Sequence, residues 1–272
     1  MMRSLWTAAS GMTAQQTNVD LIANNLANVN TAGFKKERME FKSLLYQTMQ
    51  RATVDPGTGV IGPSNLQVGL GVRPIATTRI FEMGNLERTD NNLDFAINGS
   101  AFFAIQRNLD TVAYSRDGNF RLSVADGGLM LVTAEGFPIL GVDGEPIIIP
   151  GEVNITTMGV LEDGTIMFMS PEGEPEDLGL QIALVQFSNP QGLEAIGSNL
   201  FLATASSGEP LMEADGATTQ VSEILQGFIE MSNVQLAEEM VRLIIAQRAY
   251  EINSRAIQAS DDMLQQANNL RR

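Results

Sequence analysis

The chain has 272 residues, 44% of them apolar, a net charge of −15, and neither cysteine nor histidine. This composition supports a folded core and excludes disulfides, thiolate or imidazole metal sites, and catalytic groups that contain His or Cys. Residues 52–223 hold six Lys and Arg against 23 Asp and Glu, which disfavours binding to nucleic acid because phosphate recognition needs clustered positive charge.

The first residues combine Arg3 with apolar side chains that keep a helical spacing and are interrupted by polar ones. A secretory signal would need a continuous apolar segment there. No apolar run approaches the roughly 18 residues of a membrane span. We therefore expect neither a cleaved signal peptide nor direct membrane insertion.

A first helix is predicted from Ser4 to Asn30, with Gly33 as its stop. Its stripe residues recur at alternating steps of three and four, the spacing that places them along one side of a helix. The stripe consists of Leu5, Ala8, Met12, Gln15, Val19, Ile22, Leu26 and Val29. A helix with one such stripe requires a partner.

Four asparagines occupy the second half of this helix: Asn24, Asn25, Asn28 and Asn30. Short amides compete for backbone hydrogen bonds and are poor in helix interiors. Two interpretations stay open. The asparagines form a fraying polar end, or they find partners on neighbouring helices and fix the register there.

Residues 34–51 keep a weak helical spacing, and their basic cluster is interpreted as a solvated continuation of the first helix: Lys35, Lys36, Arg38 and Lys42. A Gly- and Pro-rich insertion follows over residues 52–74. Gly57, Gly59 and Gly62 match a dinucleotide-binding fingerprint by letter, but Pro56 and Pro63 flank them and favour an extended loop or hairpin.

From Val68 the apolar period changes to two. Asn98-Gly99 separates two alternating apolar runs and predicts a hairpin. Asp-Gly pairs begin at positions 117, 126, 143, 163 and 215, with β-rich runs between them. We expect an antiparallel β domain, a small barrel or sandwich, followed by a polar linker.

The most acidic short run consists of Glu172, Glu174, Glu176 and Asp177. It could serve as a weak calcium loop or a catalytic carboxylate pair, but it lacks the ligand spacing of a calcium loop. Gly173 and Pro175 favour a solvated turn.

A second helix is predicted from near Val221 almost to the end of the chain. Its stripe includes Val241, Ile245, Ala249, Ile252, Ala256, Ala259 and Met263, with Arg248 and Tyr250 as an amphipathic pair at a helix contact. A helix of about 25 residues is marginal by itself. We expect the two helices to pair, and to be mobile in the free monomer until self-assembly orders them.

Several segments resemble the bacterial flagellar rod and hook axial proteins. The terminal matches are SGMTAQQTNVDLIANNLANVNTAGFK and SNVQLAEEMVRLIIAQRAYEINSRAI, and the central ones are DNNLDFAINGSAFFAI, AYSRDGNFRL and LVTAEGFPIL. Within this family, the length and the segments ILQGFIEMSNV, NPQGLEAIGSNLF and GPSNLQVGLGVRP point to the distal rod members. The resemblance covers nearly the whole chain.

The resemblance implies an α+β fold, with terminal N- and C-helices forming a coiled-coil domain and a central antiparallel all-β domain. The expected divisions are residues 1–34 for the N-terminal helix, 35–85 for a connecting segment with the extended insertion, 86–205 for the β domain, 206–223 for the linker and 224–272 for the C-terminal helix.

The implied function is structural: a subunit exported by the flagellar type III apparatus that assembles into a helical tube across the periplasm and transmits torque. Implied partners are further copies of the chain, proximal rod proteins, the hook protein and the surrounding periplasmic and outer-membrane ring proteins. No enzyme activity and no cofactor or metal are expected. Alternatives are a proximal rod or hook-like subunit, a soluble coiled-coil adaptor, or a carboxylate-dependent hydrolase in the β domain.

We expect two sets of residues to matter for assembly. The expected assembly interface consists of Leu5, Met12, Val19, Ile22, Asn24, Asn25, Leu26, Asn28, Val29, Val241, Ile245, Arg248, Tyr250, Ile252, Ala256, Ala259 and Met263. The insertion that the resemblance associates with a stiff rod includes Pro56, Gly57, Gly59, Gly62, Pro63, Leu66 and Val68.

Overall fold

The chain folds into two compact units. The computed structural model describes residues 2–50, 66–108, 111–125, 128–150, 158–169, 175–216 and 221–270. Unit 1 comprises Met1–Ala27, Glu37–Thr78 and Gln235–Arg272, and unit 2 comprises Asn28–Lys36 and Arg79–Val234. Terminal helices and a central antiparallel β region make the fold α+β, which confirms that part of the predicted fold class.

Unit 1 contains two long helices, α1 at Met2–Ala27 and α2 at Leu236–Asn269. In the described part of the chain, neither helix has an apolar stretch long enough to cross a membrane. The second helix begins later than the predicted Val221, because residues 223–230 form two strands of unit 2. Its first turn carries Glu238 and Glu239, which suit the positive end of the helix dipole.

Four strands complete unit 1: β1 at Glu37–Ser43, β2 at Tyr46–Gln50, β3 at Leu66–Gly69 and β4 at Val72–Arg79. Strand β1 pairs with β4, and β2 pairs with β3. The predicted helical continuation over residues 34–51 is wrong, because charged and apolar side chains alternate from Arg38 to Lys42 with a strand period. Leu66 and Val68 lie in β3.

The other named residues of the insertion, together with the G-x-G-x-x-G letters, lie outside the described residues: Pro56, Gly57, Gly59, Gly62 and Pro63. The same holds for Glu172 and Glu174 of the acidic run. Asp177 belongs to a strand, where its Oδ1 accepts a hydrogen bond of 2.8 Å from the Gly179 amide. The predicted solvated turn around Gly173 falls outside the described residues, and Asp177, in the strand that follows, is exposed.

Unit 2 consists of short strands whose pairs are all antiparallel in its described part. Its strands are β5 Leu86–Arg88, β6 Phe95–Asn98, β7 Phe102–Asn108, β8 Thr111–Ser115, β9 Phe120–Ala125, β10 Gly128–Thr133, β11 Ile148–Ile149, β12 Met158–Val160, β13 Thr165–Met169, β14 Pro175–Gln181, β15 Leu184–Gln186, β16 Glu194–Gly197, β17 Leu200–Leu202, β18 Leu211–Met212, β19 Glu223–Gln226 and β20 Phe228–Glu230.

The largest sheet has the order β16-β17-β8-β7-β15-β18. Two three-stranded sheets, β11-β10-β9 and β12-β13-β14, and the pairs β19-β6 and β20-β5 complete the unit. Strand β18 shows that residues 206–223 are more than a polar linker. Glu213, which follows this strand, is buried and accepts hydrogen bonds from the Ser222 amide at 2.8 Å and the Ser222 hydroxyl at 2.7 Å.

Strand β7 is buried on both faces and separates two hydrophobic clusters. Phe103 packs in one cluster, where its ring meets that of Phe120 edge-on at 5.0 Å. Phe102 packs in the other cluster, with Phe187 edge-on at 5.8 Å. Successive side chains of a strand point to opposite faces, so a central strand with core on both sides reads as continuously apolar.

The predicted Asn98-Gly99 hairpin is wrong, because the strands on either side of it do not pair with each other. Strand β6 pairs with β19, and β7 pairs with β8 and β15, so the two runs flanking Asn98-Gly99 belong to different sheets. The Asp163-Gly164 turn does join a hairpin, β12-β13, with the Leu161 amide donating to the Thr165 carbonyl at 3.0 Å. Asp126-Gly127 lies outside the described residues.

We predict that Gly118→Ala destabilises the protein by about 2 kcal/mol or more, because a Cβ there would lie 1.6 Å from the Phe95 carbonyl oxygen and backbone must shift. Gly159→Ala is the matched control. Its Cβ would meet no atom closer than 4.0 Å, and we expect a change below about 1 kcal/mol. Urea unfolding measures both, and equal midpoints for the two variants would contradict the packing argument.

Candidate assembly surface on the terminal helices

Helices α1 and α2 run antiparallel, and contacts between them recur at multiples of seven residues. As positions on α1 rise from 4 to 11 to 25, their partners on α2 fall from 260 to 253 to 239. A seven-residue recurrence keeps the same side of each helix against its partner. These contacts, called here the seam, join Ser4 to Ser260, Gly11 to Asn253 and Asn25 to Glu239.

Small and polar side chains fill the seam. The Oγ atoms of Ser4 and Ser260 are 3.3 Å apart. A Cβ at Gly11 would lie 2.8 Å from Asn253 Nδ2, so glycine lets the two helices approach closely there. Ala246 is fully buried. Small side chains allow close packing but bury little apolar area, so the seam fixes a geometry more than it supplies hydrophobic stabilisation.

Asn25 is 1% exposed and forms three contacts. Its amide group donates to the Glu37 carbonyl at 2.9 Å and accepts from the Glu37 amide at 3.0 Å. Its Nδ2 also lies 3.4 Å from Glu239 Oε2 on α2. Of the two interpretations of the asparagines, Asn25 supports the one in which a buried amide fixes register. Asn24 and Asn30 are exposed, and Asn28 accepts from Thr31 in the turn after α1.

On α1, the predicted stripe lies one residue beyond the seam. Ala8 and Ile22 are buried, whereas the other apolar positions of the predicted stripe are half-buried: Leu5, Met12, Val19, Leu26 and Val29. The periodicity of the prediction agrees with the observed seam, but its phase does not. The prediction followed the large apolar residues. The contacts with α2 are instead made by Ser4, Gly11 and Asn25, each one position before a predicted residue.

On α2, the predicted stripe does not face α1. Ile245 is 63% and Ile252 is 66% exposed, and Arg248 pairs instead with Glu251 at 3.0 Å on the helix surface. Two residues along a helix correspond to roughly 200° of rotation, so Val241 lies on the other side from Glu239. A role of this stripe between molecules stays a prediction. The outer face of α2, as the term is used here, comprises the stripe residues Val241, Ile245, Ile252, Ala256, Ala259 and Met263 together with Ile244 and Arg248.

Unit 1 exposes most of the large apolar side chains that are exposed in the described residues. They occupy three places: the start of α1, the four-stranded part, and α2 with its C-terminal end. Beyond the outer face they include Trp6, Phe41, Leu45, Tyr46, Met49, Leu66, Leu70, Ile75, Leu236, Met240, Tyr250 and Leu270. Exposed apolar surface is typical of protein–protein contacts when it is contiguous, so unit 1 holds the candidate assembly surface.

A second arrangement, in unit 2, was missed by the sequence analysis. Lys35, Arg116 and Glu230 form a buried ion cluster in which every side chain is at most 1% exposed. Lys35 Nζ lies 2.5 Å from Glu230 Oε1, and Arg116 Nη1 lies 3.1 Å from Glu230 Oε2. The three residues are far apart in sequence, and Lys35 stands among basic neighbours, so no local pattern indicates this cluster.

Two cations share one carboxylate in the cluster. Burial lowers the pKa of Lys35 to about 8, with Glu230 opposing the shift and Arg116 adding to it. Burial also lowers the pKa of Arg116, and Glu230 opposes that shift. Because a net positive charge in a dry site is costly, loss of the Lys35 proton leaves a balanced Arg116–Glu230 pair.

Three family models match the chain. The model described as "Flagella basal body rod protein" matches residues 5–35, "Flagellar hook protein FlgE/F/G D1 domain" matches 96–168, and "Flagellar basal body rod FlgEFG protein C-terminal" matches 225–270. The two terminal matches contain all the seam residues except Ser4.

Curated relatives match over the whole length. Flagellar basal-body rod protein FlgG of Borreliella burgdorferi is 49% identical, with 100% of both chains covered. Proteins of the same name from Caulobacter vibrioides and Bacillus subtilis are 44% and 38% identical, with at least 99% of each chain covered.

We predict that Ala246→Leu destabilises the helix pair, because a larger side chain at a buried seam position must push the helices apart, at a cost of about 1 to 3 kcal/mol. Ala256→Leu is the matched control on the exposed side, and we expect it to leave monomer stability within about 0.5 kcal/mol. Helical circular dichroism during thermal unfolding measures both. The opposite ranking would place the seam on the other side of α2.

We also predict that stability rises with pH above 8. Between a folded-state pKa of about 8 and the ordinary value of 10.5, the unfolded chain binds a proton that folded Lys35 has released. Linkage then raises the free energy of unfolding through this window, by up to about 3 kcal/mol. Urea unfolding at pH 7 to 10.5 should show this increment, Lys35→Met should lack it, and Lys42→Met, an exposed control, should retain it. An identical pH dependence in all three proteins would refute the assignment.

Proposed function

The chain belongs to the family of flagellar basal-body rod proteins, and from that membership we propose that it polymerises through its terminal helices into a helical tube. Its relatives are structural proteins, so the chain is a structural subunit of the flagellar rod and not an enzyme.

The exposed outer face of α2 is the observation that carries the proposal. The seam contacts are made by small and polar side chains, while the large aliphatic residues of the outer face of α2 remain in water. Burying an Ile or Val side chain contributes roughly 1.5 to 3 kcal/mol. Contacts of this face with other subunits, as coiled-coil helices in the wall of a tube, would supply the stabilisation that the isolated pair lacks.

The four-stranded part of unit 1 supports the same proposal. Two-stranded pairs of strands are marginal in water by themselves. Strands β2 and β3 nevertheless expose Tyr46, Met49 and Leu66. We propose that this part, with the insertion, lies against neighbouring subunits and stiffens the rod.

In this proposal the tube transmits torque from the motor to the hook and forms part of the export channel. Contacts that differ on the two partners generate an open helical polymer instead of a closed ring. Neighbours would be further copies, proximal rod proteins and the hook protein, with ring proteins around the rod in the periplasm. The subunit would leave the cytoplasm through the flagellar type III apparatus without a cleaved signal peptide.

We expect the double variant Ile245→Asp, Ile252→Asp to abolish rod assembly, because each introduced carboxylate would be buried without a partner at the subunit contact. Electron microscopy of basal bodies from cells that express the variant measures assembly. Monomer stability should change by less than about 1 kcal/mol, since both positions are exposed.

Val124→Asp is the control, since Val124 is 87% exposed in unit 2 and its replacement should leave rods intact. Normal rods from the double variant would sink the proposal. The adaptor alternative predicts a discrete small oligomer in sedimentation at high concentration and no tubes. A proximal rod or hook-like subunit would assemble, but at another place along the axis.

A further inference from the structure

The chain passes between units 1 and 2 at four places, after residues 27, 36, 78 and 234. On the side of unit 2, these passages lie in three short stretches, called here the crossing segments: residues 28–36, 79–84 and 230–234. Each would be a flexible tether if it were held by the chain alone. Instead, all three are bonded to one another within unit 2.

Asn233 supplies part of this bonding. Its side-chain Oδ1 accepts from the Lys36 amide at 2.8 Å, and its Nδ2 donates to the Ile80 carbonyl at 2.8 Å. The Ile80 amide in turn donates to the Lys36 carbonyl at 3.0 Å. One amide side chain therefore joins residues from all three crossing segments.

Glu230 joins the same three segments through charge. Its Oε1 accepts from Lys35 Nζ at 2.5 Å and from the Gly84 amide at 2.8 Å. Lys35 Nζ also donates to the Glu82 carbonyl at 2.8 Å, and the Gly33 amide donates to the Glu230 carbonyl at 2.8 Å. Hydrogen bonds to an ionised carboxylate are stronger than hydrogen bonds between neutral groups.

Arg116 fixes the cluster to the core of unit 2. Its guanidinium donates to the carbonyls of Ile97 and Gly99 and lies 5.4 Å from the ring centroid of Phe102. Phe102 is fully buried on strand β7 of the largest sheet. The crossing segments are thereby attached, through Glu230 and Arg116, to a central strand of the largest sheet.

Close backbone packing accompanies the charges. A Cβ at Gly84 would lie 1.9 Å from the Met231 carbonyl oxygen, and one at Gly33 would lie 2.6 Å from the Asp117 nitrogen. Glu230 is the one carboxylate that both cations contact, so its removal leaves two buried positive charges without compensation, and the bonds that it joins are expected to open together.

We propose that the buried ion cluster and Asn233 make the three crossing segments one cooperative unit that opens as a whole. Its mechanical role rests on the proposed function. Twist carried by the terminal helices of a rod subunit would reach unit 2 through three segments that are bonded to one another, and not through three independent tethers. The cooperative unit itself is a property of the single molecule.

Amide hydrogen exchange of the full-length monomer tests this, with Glu230→Gln as the main variant. Glutamine keeps the shape of Glu230 but leaves both cations without their carboxylate. We expect amides in all three segments, including Gly33, Lys36, Ile80 and Gly84, to exchange at least tenfold faster together. Amides of β7 and β8 should change less than twofold.

If Glu230→Gln fails to fold, Lys35→Met tests whether the three crossing segments open together, because this variant retains the Arg116–Glu230 pair. It should produce a smaller joint increase in all three segments. Lys42→Met, on the exposed strand β1, should leave their exchange unchanged. An increase confined to one segment, or none in either variant, would overturn the proposal. Exchange is measured on the monomer, so independent opening of the segments would not contradict the assembly proposal. A failure to assemble would likewise not contradict the joint opening of the crossing segments.

Discussion

A single buried carboxylate, that of Glu230, imposes the strongest constraint in the structure. It lies between Lys35 and Arg116, residues that the chain order places far from it, and it has no access to water. An ionised group in such a position is tolerated only when its partners are held in place. Helix α1 ends at Ala27, shortly before Lys35, and α2 begins at Leu236, shortly after Glu230. Within unit 2, the cluster therefore bonds together two segments that adjoin the helices in the sequence.

Within unit 1, fixed geometry and adhesion are assigned to different sides of the helices. The seam uses Ser4, Gly11, Asn25 and their partners, which specify one antiparallel register but contribute little apolar burial. The large aliphatic residues of α2 lie on its outer face, where another molecule can cover them. In the proposed assembly, contacts between subunits would therefore form without disturbing the contacts that hold α1 against α2.

Unit 2 depends on the opposite arrangement, with its apolar residues turned inward. Strand β7 has core on both faces, and aromatic rings from neighbouring strands meet Phe102 and Phe103 edge-on. Edge-to-face rings add directional preference to the burial of apolar area. The rigid sheet that results gives Arg116 a fixed attachment, which in turn positions Glu230.

Local patterns in the sequence determined the α+β class, both terminal helices and the alternation of the β region, because helix and strand periods are properties of neighbouring residues. They also located the helix stripes on the correct repeat. Only the tertiary structure decided which side of each helix meets the other, since an apolar residue is equally suited to an internal seam and to a subunit contact. The same applies to Asn98-Gly99, a strong turn signal whose flanking strands found other partners, and to residues 34–51, where strand pairing prevailed over a weak helical spacing. The ion cluster of Lys35, Arg116 and Glu230 is the clearest case. Burial and charge pairing between distant residues depend on the folded chain, and no local sequence pattern indicates them.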